Sequence, residues 1–279
     1  MIRGYLFIPA NKPRFIEKSL ELEGVNHRIF DFEDSVSSFD VEKAILNVNK
    51  QTVKPSDWVR IPLTDQFQGI ANELIKKGYR NVIVPKVKDK EHFSEVISQL
   101  QAINNEVKVI ILIENYLIFL QMEQILKKWN KFIYGIGLGS HDFTAVTKIR
   151  HHKDVLFPLR LQISLLANAY NVIPIDIASM NISDHEAYNT EIQSAFDLGY
   201  RAKFVLHPFQ LQCINDYPFF TKEEVKDAAE IMNLFFESEQ KKEVVIKYKG
   251  IIYERPHINN LKSIKAWGEE YYGTDRQIL

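Results

Sequence analysis

Short apolar runs recur along the chain, each ending on charged or turn-forming residues, and between them lie longer segments whose apolar positions follow a helical period. The runs at 4–9, 28–33, 58–62, 81–86, 107–114, 132–137, 172–178 and 202–207 are rich in β-branched and aromatic residues and predict eight strands. Helices are expected over 67–77, 92–103, 117–128, 159–169 and 184–198. Gly78, Gly199 and the Asn130-Lys131 pair stand where helices stop, and Asp89 and Ser183-Asp184 stand where they start. Alternation of this kind calls for a parallel sheet, and eight units suffice to close a (β/α)8 TIM barrel.

After Thr221, Glu223 and Glu224 open a further helical segment carrying Val225, Ala228, Ala229 and Met232, expected to be the last barrel helix. No linker rich in Pro, Gly or Ser divides the chain, so the reading is one barrel domain, 1–238, with a C-terminal extension, 239–279. The extension turns apolar at Val244-Val-Ile246, turns back at Lys249-Gly250 and ends in a helix-like stretch over 260–271. That is too hydrophobic for a disordered tail, and it is expected to pack on the barrel or on a neighbouring subunit.

Composition narrows the function classes. With 46% hydrophobic and 25% charged residues the chain has enough apolar material for a sizeable core, and its formal net charge of -1 creates no long-range field for nucleic acid or an anionic membrane. Cys213 stands alone, so no intramolecular disulfide can form, and a cytoplasmic location is expected. The apolar run at 4–9 is too short and too soon followed by Lys12 and Arg14 for a secretory signal, and Glu114 and Asn115 interrupt the longest apolar stretch, so no membrane span is expected.

In a barrel of this type the carboxyl ends of the strands and the loops after them carry the chemistry. Glu114 closes one apolar run, and Asp142, in Gly139-Ser-His-Asp142, follows the next. On neighbouring strands these two acids would share a divalent cation; the alternatives are a helix cap or an ion pair with Lys86 or Arg60. The strand-two segment Phe30-Asp-Phe-Glu-Asp34 alternates so that Asp31 and Glu33 share one face. Arg60 ends strand three, Lys86 strand four and His207-Pro208 strand eight. Arg60 is suited either to a structural ion pair or to a planar grip on a substrate carboxylate.

Gly135-Ile-Gly-Leu-Gly139 matches neither a dinucleotide fingerprint nor a P-loop, and its glycines are expected to turn the backbone tightly and bring Asp142 to the rim. His141, His151 and His152 fit no zinc spacing and are expected to be loop or solvated residues.

Taken in order, Arg3-Gly-Tyr-Leu-Phe-Ile-Pro9, Phe30-Asp-Phe-Glu-Asp-Ser-Val36, Val59-Arg60, Val84-Pro-Lys-Val87, Ile113-Glu114, Gly139-Ser-His-Asp142, His207-Pro-Phe-Gln210 and Gly250-Ile-Ile-Tyr-Glu-Arg-Pro-His257 resemble the motifs of the HpcH/HpaI aldolase/citrate lyase family. Citrate lyase β-subunits and malyl-CoA and citramalyl-CoA lyases belong to it. The resemblance implies a Mg2+-dependent carbon–carbon lyase, with Mn2+ as a possible substitute. Its substrate would be a 3-hydroxyacyl thioester, released as a 2-oxo acid and an acyl thioester. It puts the metal on Glu114 and Asp142, the substrate carboxylate on Arg60, and metal-bound waters on Glu33 and Asp34.

The same resemblance places Arg3, Lys12, Arg14 and Lys86 among the substrate contacts and assigns the general acid to the tail, where Glu254 stands in place of the family's aspartate. That acid often comes from a neighbouring subunit, which implies a homo-oligomer, a trimer by family habit. Asn115 where the family usually has Thr, and Ile61-Pro-Leu after Arg60, are further departures. Two other readings stay open: a metal-dependent aldolase acting on free 2-oxo acids, and a non-catalytic barrel that binds a carboxylated metabolite or a partner.

Overall fold

The computed structural model describes residues 2–240 and 245–273. Their contacts divide into a larger unit, residues 2–217, and a smaller one, residues 218–240 and 245–273. The larger unit contains β1 (Arg3–Pro9), α1 (Pro13–Glu21), β2 (His27–Asp31), α2 (Val41–Asn49), β3 (Asp57–Arg60), α3 (Phe67–Lys77), β4 (Asn81–Val84) and α4 (Lys90–Ile103). It continues with β5 (Lys108–Ile113), α5 (Tyr116–Trp129), β6 (Ile133–Leu138), α6 (Ser140–Thr147), α7 (Lys153–Ala169), β7 (Ile173–Asp176), α8 (His185–Asp197), β8 (Ala202–Val205) and α9 (Pro208–Asp216). The strands pair in sequence order and β1 also pairs with β8, closing a parallel (β/α)8 barrel.

Period-two alternation fills the barrel interior. Tyr5, Ile29, Trp58, Ile83, Ile110, Leu112, Ile175, Ala202 and Phe204 form its buried core, whereas Phe30 and Phe32, on the opposite face of strand two, are buried elsewhere. Gly135 and Gly137 belong to this packing rather than to a turn, contrary to the sequence expectation. Both lie within β6, where a β-carbon would stand 2.7 Å from the carbonyl oxygen of Ile173 in the first case and 2.9 Å from Cζ of Phe204 in the second.

A second buried element ties the last strands together. Arg160 on α7 grips Asp176 at the end of β7 through Nε (2.8 Å) and Nη2 (3.0 Å), and Lys203 on β8 donates to the same carboxylate at 3.0 Å. Burial alone would raise the Asp176 carboxyl, but the charges of Lys203 and Arg160 outweigh it and hold the group below its ordinary range.

Four helices carry no assignment in the sequence reading: α1, α2, α6 and α9. Each is short, eight or nine residues, so few turns repeat the pattern. The helix that follows β8 is α9, opened by Pro208 at its first position and capped by His207, whose Nδ1 accepts from the Phe209 N–H.

The segment expected to be the last barrel helix is α10 (Lys222–Gln240), and its contacts group it with the smaller unit. There Thr221 and Glu224 form a reciprocal capping box. The strands β9 (Val245–Tyr248) and β10 (Ile251–Glu254) pair antiparallel across Lys249 and Gly250, whose φ of 45° and 85° match the mirror-image turn that two-residue hairpins favour. α11 (Arg255–Tyr272) buries Ile258 and Leu261 against Ala228, Ile231 and Phe235 of α10. Gly268 lets these helices close up, since a β-carbon there would meet Val225 Cγ2 at 2.6 Å. Val244, the start of the expected apolar stretch, lies outside the described residues. Among the described residues no helix is long and apolar enough to cross a membrane.

Candidate active site

The carboxyl ends of β2 and β3 meet in register, with Asp31 and Arg60 as strand partners. Asp31 accepts from Arg60 Nε at 2.6 Å and from Nη2 at 2.8 Å, a two-point grip on the guanidinium. Ser35 Oγ (2.6 Å) and the Glu33 N–H (3.0 Å) also donate to Asp31. Burial pushes this carboxyl up, yet Arg60 more than offsets it and leaves Asp31 below the usual carboxylate range. Arg60 Nη1 reaches Glu33 at 2.8 Å and Asp34 at 3.5 Å, and its guanidinium carbon lies 4.8 Å from the ring centre of Phe7. Both structural alternatives left open for Arg60 are therefore compatible: it is ion-paired, and the pairing fixes its plane at the rim.

Lys86, just beyond β4, connects this acidic cluster to the next strand. Its Nζ bridges Glu33 (2.5 Å) and Asp34 (2.9 Å), and its backbone N–H donates to the Glu114 carboxylate. A φ of 50° at Lys86 turns the backbone N–H toward β5 while the side chain reaches back toward β2. Glu114 follows directly after β5, and Asp142 lies in the first turn of α6, which only Gly139 separates from β6, rather than at a strand end.

Glu114 is 4% exposed. Burial pushes its carboxyl up to about 8; the Lys86 N–H opposes that shift, and the neighbouring Glu33 and Asp142 charges add to it. A buried acid held against like charges has an unmet demand for positive charge, which a divalent cation would fill. Gly139 makes the room, because a β-carbon there would stand 2.7 Å from Glu114 Oε1. The donors are all oxygens, as a hard cation requires. Among the described residues no cluster of three or more His, Cys, Asp or Glu side chains could hold a metal unaided, so a cation at Glu114 and Asp142 would complete its shell with water or substrate oxygens.

Asp31, Asp34, Arg60, Glu114 and Asp142 line one cavity of about 400 Å3. Other sequence candidates lie elsewhere. Arg3 begins β1 at the amino-terminal end of the barrel, a whole strand away from the rim, and the structure does not bring it to the cavity. Lys12 and Arg14 open α1 on the rim side, exposed, and do not line the cavity. Glu254 lies in the smaller unit, exposed where β10 passes into α11, with its backbone N–H donating to His257 Nδ1 at 3.0 Å. His141 and His151 stack at 4.1 Å, and His152 caps α7 by accepting from the Asp154 N–H. The role of Asp31 escaped sequence reasoning; the only signal was its place on the face shared with Glu33.

Comparison with known proteins identifies the family and the fold. The model of the HpcH/HpaI aldolase/citrate lyase family matches residues 3–208. The citrate lyase subunit beta of Leuconostoc mesenteroides subsp. cremoris is 24% identical over 271 residues, covering 91% of this chain and 89% of that protein. A citrate lyase from Burkholderia xenovorans LB400 superposes with a TM-score of 0.82 at 17% identity, covering 97% and 92% of the two chains. The protein CitE of Mycobacterium tuberculosis, crystallised with magnesium, acetoacetate and coenzyme A, gives 0.78 at 20% identity over 94% and 96%. The eight strands in closed order and the matched span together make this chain a member of the HpcH/HpaI aldolase/citrate lyase family, to which carbon–carbon lyases such as citrate lyase subunit beta and citramalyl-CoA lyase are related.

Proposed function

We propose that this chain is a Mg2+-dependent lyase that cleaves a 3-hydroxyacyl thioester, bearing a carboxylate on the hydroxyl carbon, into a 2-oxo acid and an acyl thioester. The observation that carries the reading is the single cavity in which Glu114, with its carboxyl raised to about 8, and Asp142 face the fixed guanidinium of Arg60. Glu114 and Asp142 would hold the cation, which when bound polarises the oxygen on the carbon that becomes the ketone.

Arg60 orients the substrate. Two of its about five guanidinium N–H groups are hydrogen-bonded to Asp31, and Nη1 pairs with Glu33 and Asp34 as an ion without a hydrogen bond, which leaves N–H groups for a substrate carboxylate. In cleavage the hydroxyl gives up its proton toward the rim carboxylates Glu33 and Asp34, which would also order nearby waters. The bond between the hydroxyl carbon and the thioester α-carbon breaks, and its electron pair leaves on the thioester as an enolate. Glu254 of a neighbouring copy would return a proton to that carbon, which requires at least a dimer. Lys86 holds Glu33 and Asp34 in place. Lys12 and Arg14, exposed on the rim side, remain the proposed contacts for carrier phosphates.

Cleavage of citryl, malyl and citramalyl thioesters, followed with and without Mg2+, tests the reading. Turnover of at least one is expected with Mg2+ only, and Glu114→Gln is expected to abolish it. A folded protein that binds Mg2+ yet turns over none of them would leave the non-catalytic barrel as the better account.

A further inference from the structure

The lining of the rim cavity is of two kinds: Asp31, Asp34, Arg60, Glu114 and Asp142 are charged, Phe7, Leu112, Leu138, Met180, Phe204 and Leu206 are apolar, and Ser35, Ser140 and His141 add polar groups. Of the apolar lining, Leu112, Leu138 and Phe204 are buried, Phe204 filling the space that a side chain at Gly137 would take, whereas Met180 and Leu206 are exposed.

Positive charge near the cavity is already engaged. Arg60 is held by three carboxylates. A neighbouring cavity shares Ala178 and Met180 with this one, and its two buried cations, Arg160 and Lys203, close on Asp176 at 2.8 to 3.0 Å. His141 also lines the rim cavity, but it is exposed and lies flat against His151.

Resting on the lyase reading above, we propose that the 2-oxo acid released here carries one carboxylate and an apolar substituent, a 2-oxoalkanoate rather than a 2-oxo dicarboxylate. One carboxylate has a place between Arg60 and the cation site. A second would find no Lys or Arg side chain besides Arg60 among the lining residues, whereas an alkyl group against Phe204 and Met180 gains from leaving water.

Titration calorimetry of the full-length protein in saturating Mg2+ tests this, with pyruvate, 2-oxobutyrate and oxaloacetate as probes. Pyruvate and 2-oxobutyrate are expected to bind at least about tenfold more tightly than oxaloacetate. Met180→Lys, at a side chain 64% exposed and therefore tolerant of charge, is expected to narrow that ratio by strengthening oxaloacetate binding. Oxaloacetate binding as tightly as pyruvate to the wild type overturns the inference and leaves the lyase reading standing. A preference that Met180→Lys leaves unmoved overturns it as well, because the apolar lining is then not its source. Failure of all three acids to bind, together with no thioester turnover, overturns both.

Discussion

Gly139 and Glu114 are packed so closely that a β-carbon on the glycine would stand 2.7 Å from a carboxylate oxygen of the acid. Gly139 has an ordinary φ of -78°, so alanine suits the backbone and only the Glu114 side chain must move. Gly139→Ala is therefore expected to fold normally and to weaken Mg2+ binding by about 10- to 100-fold, the cost of misorienting a metal ligand. Calorimetric titration with Mg2+, beside a thermal melt, checks both halves. Wild-type affinity in the variant would mean that Glu114 does not hold the cation.

Arg60→Lys separates the fork from the charge. Lysine retains one positive charge, but it cannot grip both oxygens of Asp31 while reaching Glu33. The expected result is a loss of about 2 kcal/mol in urea-melt stability. Turnover is expected to fall by about a hundredfold or more, because the substrate carboxylate loses its fixed plane. Steady-state kinetics at saturating Mg2+ measure the second effect.

The contrast between Glu114 and Asp31 shows what the sequence made legible. Glu114 announced itself by breaking a long apolar run at a strand end, and the strands themselves were readable because alternation and β-branching are local. Asp31 acquires its role only from the register of β2 against β3, which sets it opposite a residue 29 positions away. Lys86 was legible as a strand-end cation, but not as the donor of a backbone N–H to Glu114, since that depends on a φ of 50°. Arg160, Asp176 and Lys203 stayed hidden for a related reason. Each looks like an ordinary polar residue until a helix and two strands are brought together.

That buried triad makes acid stability a specific expectation. The Asp176 carboxyl lies below its ordinary value in the folded chain, so the triad contributes stability that is fully present above the unfolded-state value of about 3.9 and is lost as pH falls through the lower folded-state value. Asp176→Asn removes this dependence and strands two buried cations, at a cost of about 3 to 5 kcal/mol at neutral pH. Urea melts at pH 7 and at successively lower pH should show the gap between wild type and variant closing below about pH 4. A constant gap would show that Asp176 is not the group that titrates.

Glu254 offers the sharpest test of how the proposed site is assembled. It is exposed in the smaller unit, at the junction of β10 and α11, whereas Glu114 is buried in the barrel, so the two substitutions can fail independently. Glu254→Gln is expected to retain Mg2+ and 2-oxo acid binding and to lose turnover by about 100- to 10,000-fold, the usual contribution of a positioned general acid. Glu254→Asp, which shortens the arm but keeps the acid, should recover part of it. If the proton comes from a neighbouring copy, mixing Glu254→Gln with Glu114→Gln under conditions that exchange subunits should restore activity, because some sites then combine an intact barrel with an intact tail. Mixtures that stay inactive after exchange is verified would place the acid and the cation site on the same chain, or remove Glu254 from the chemistry if Glu254→Gln alone had kept its rate.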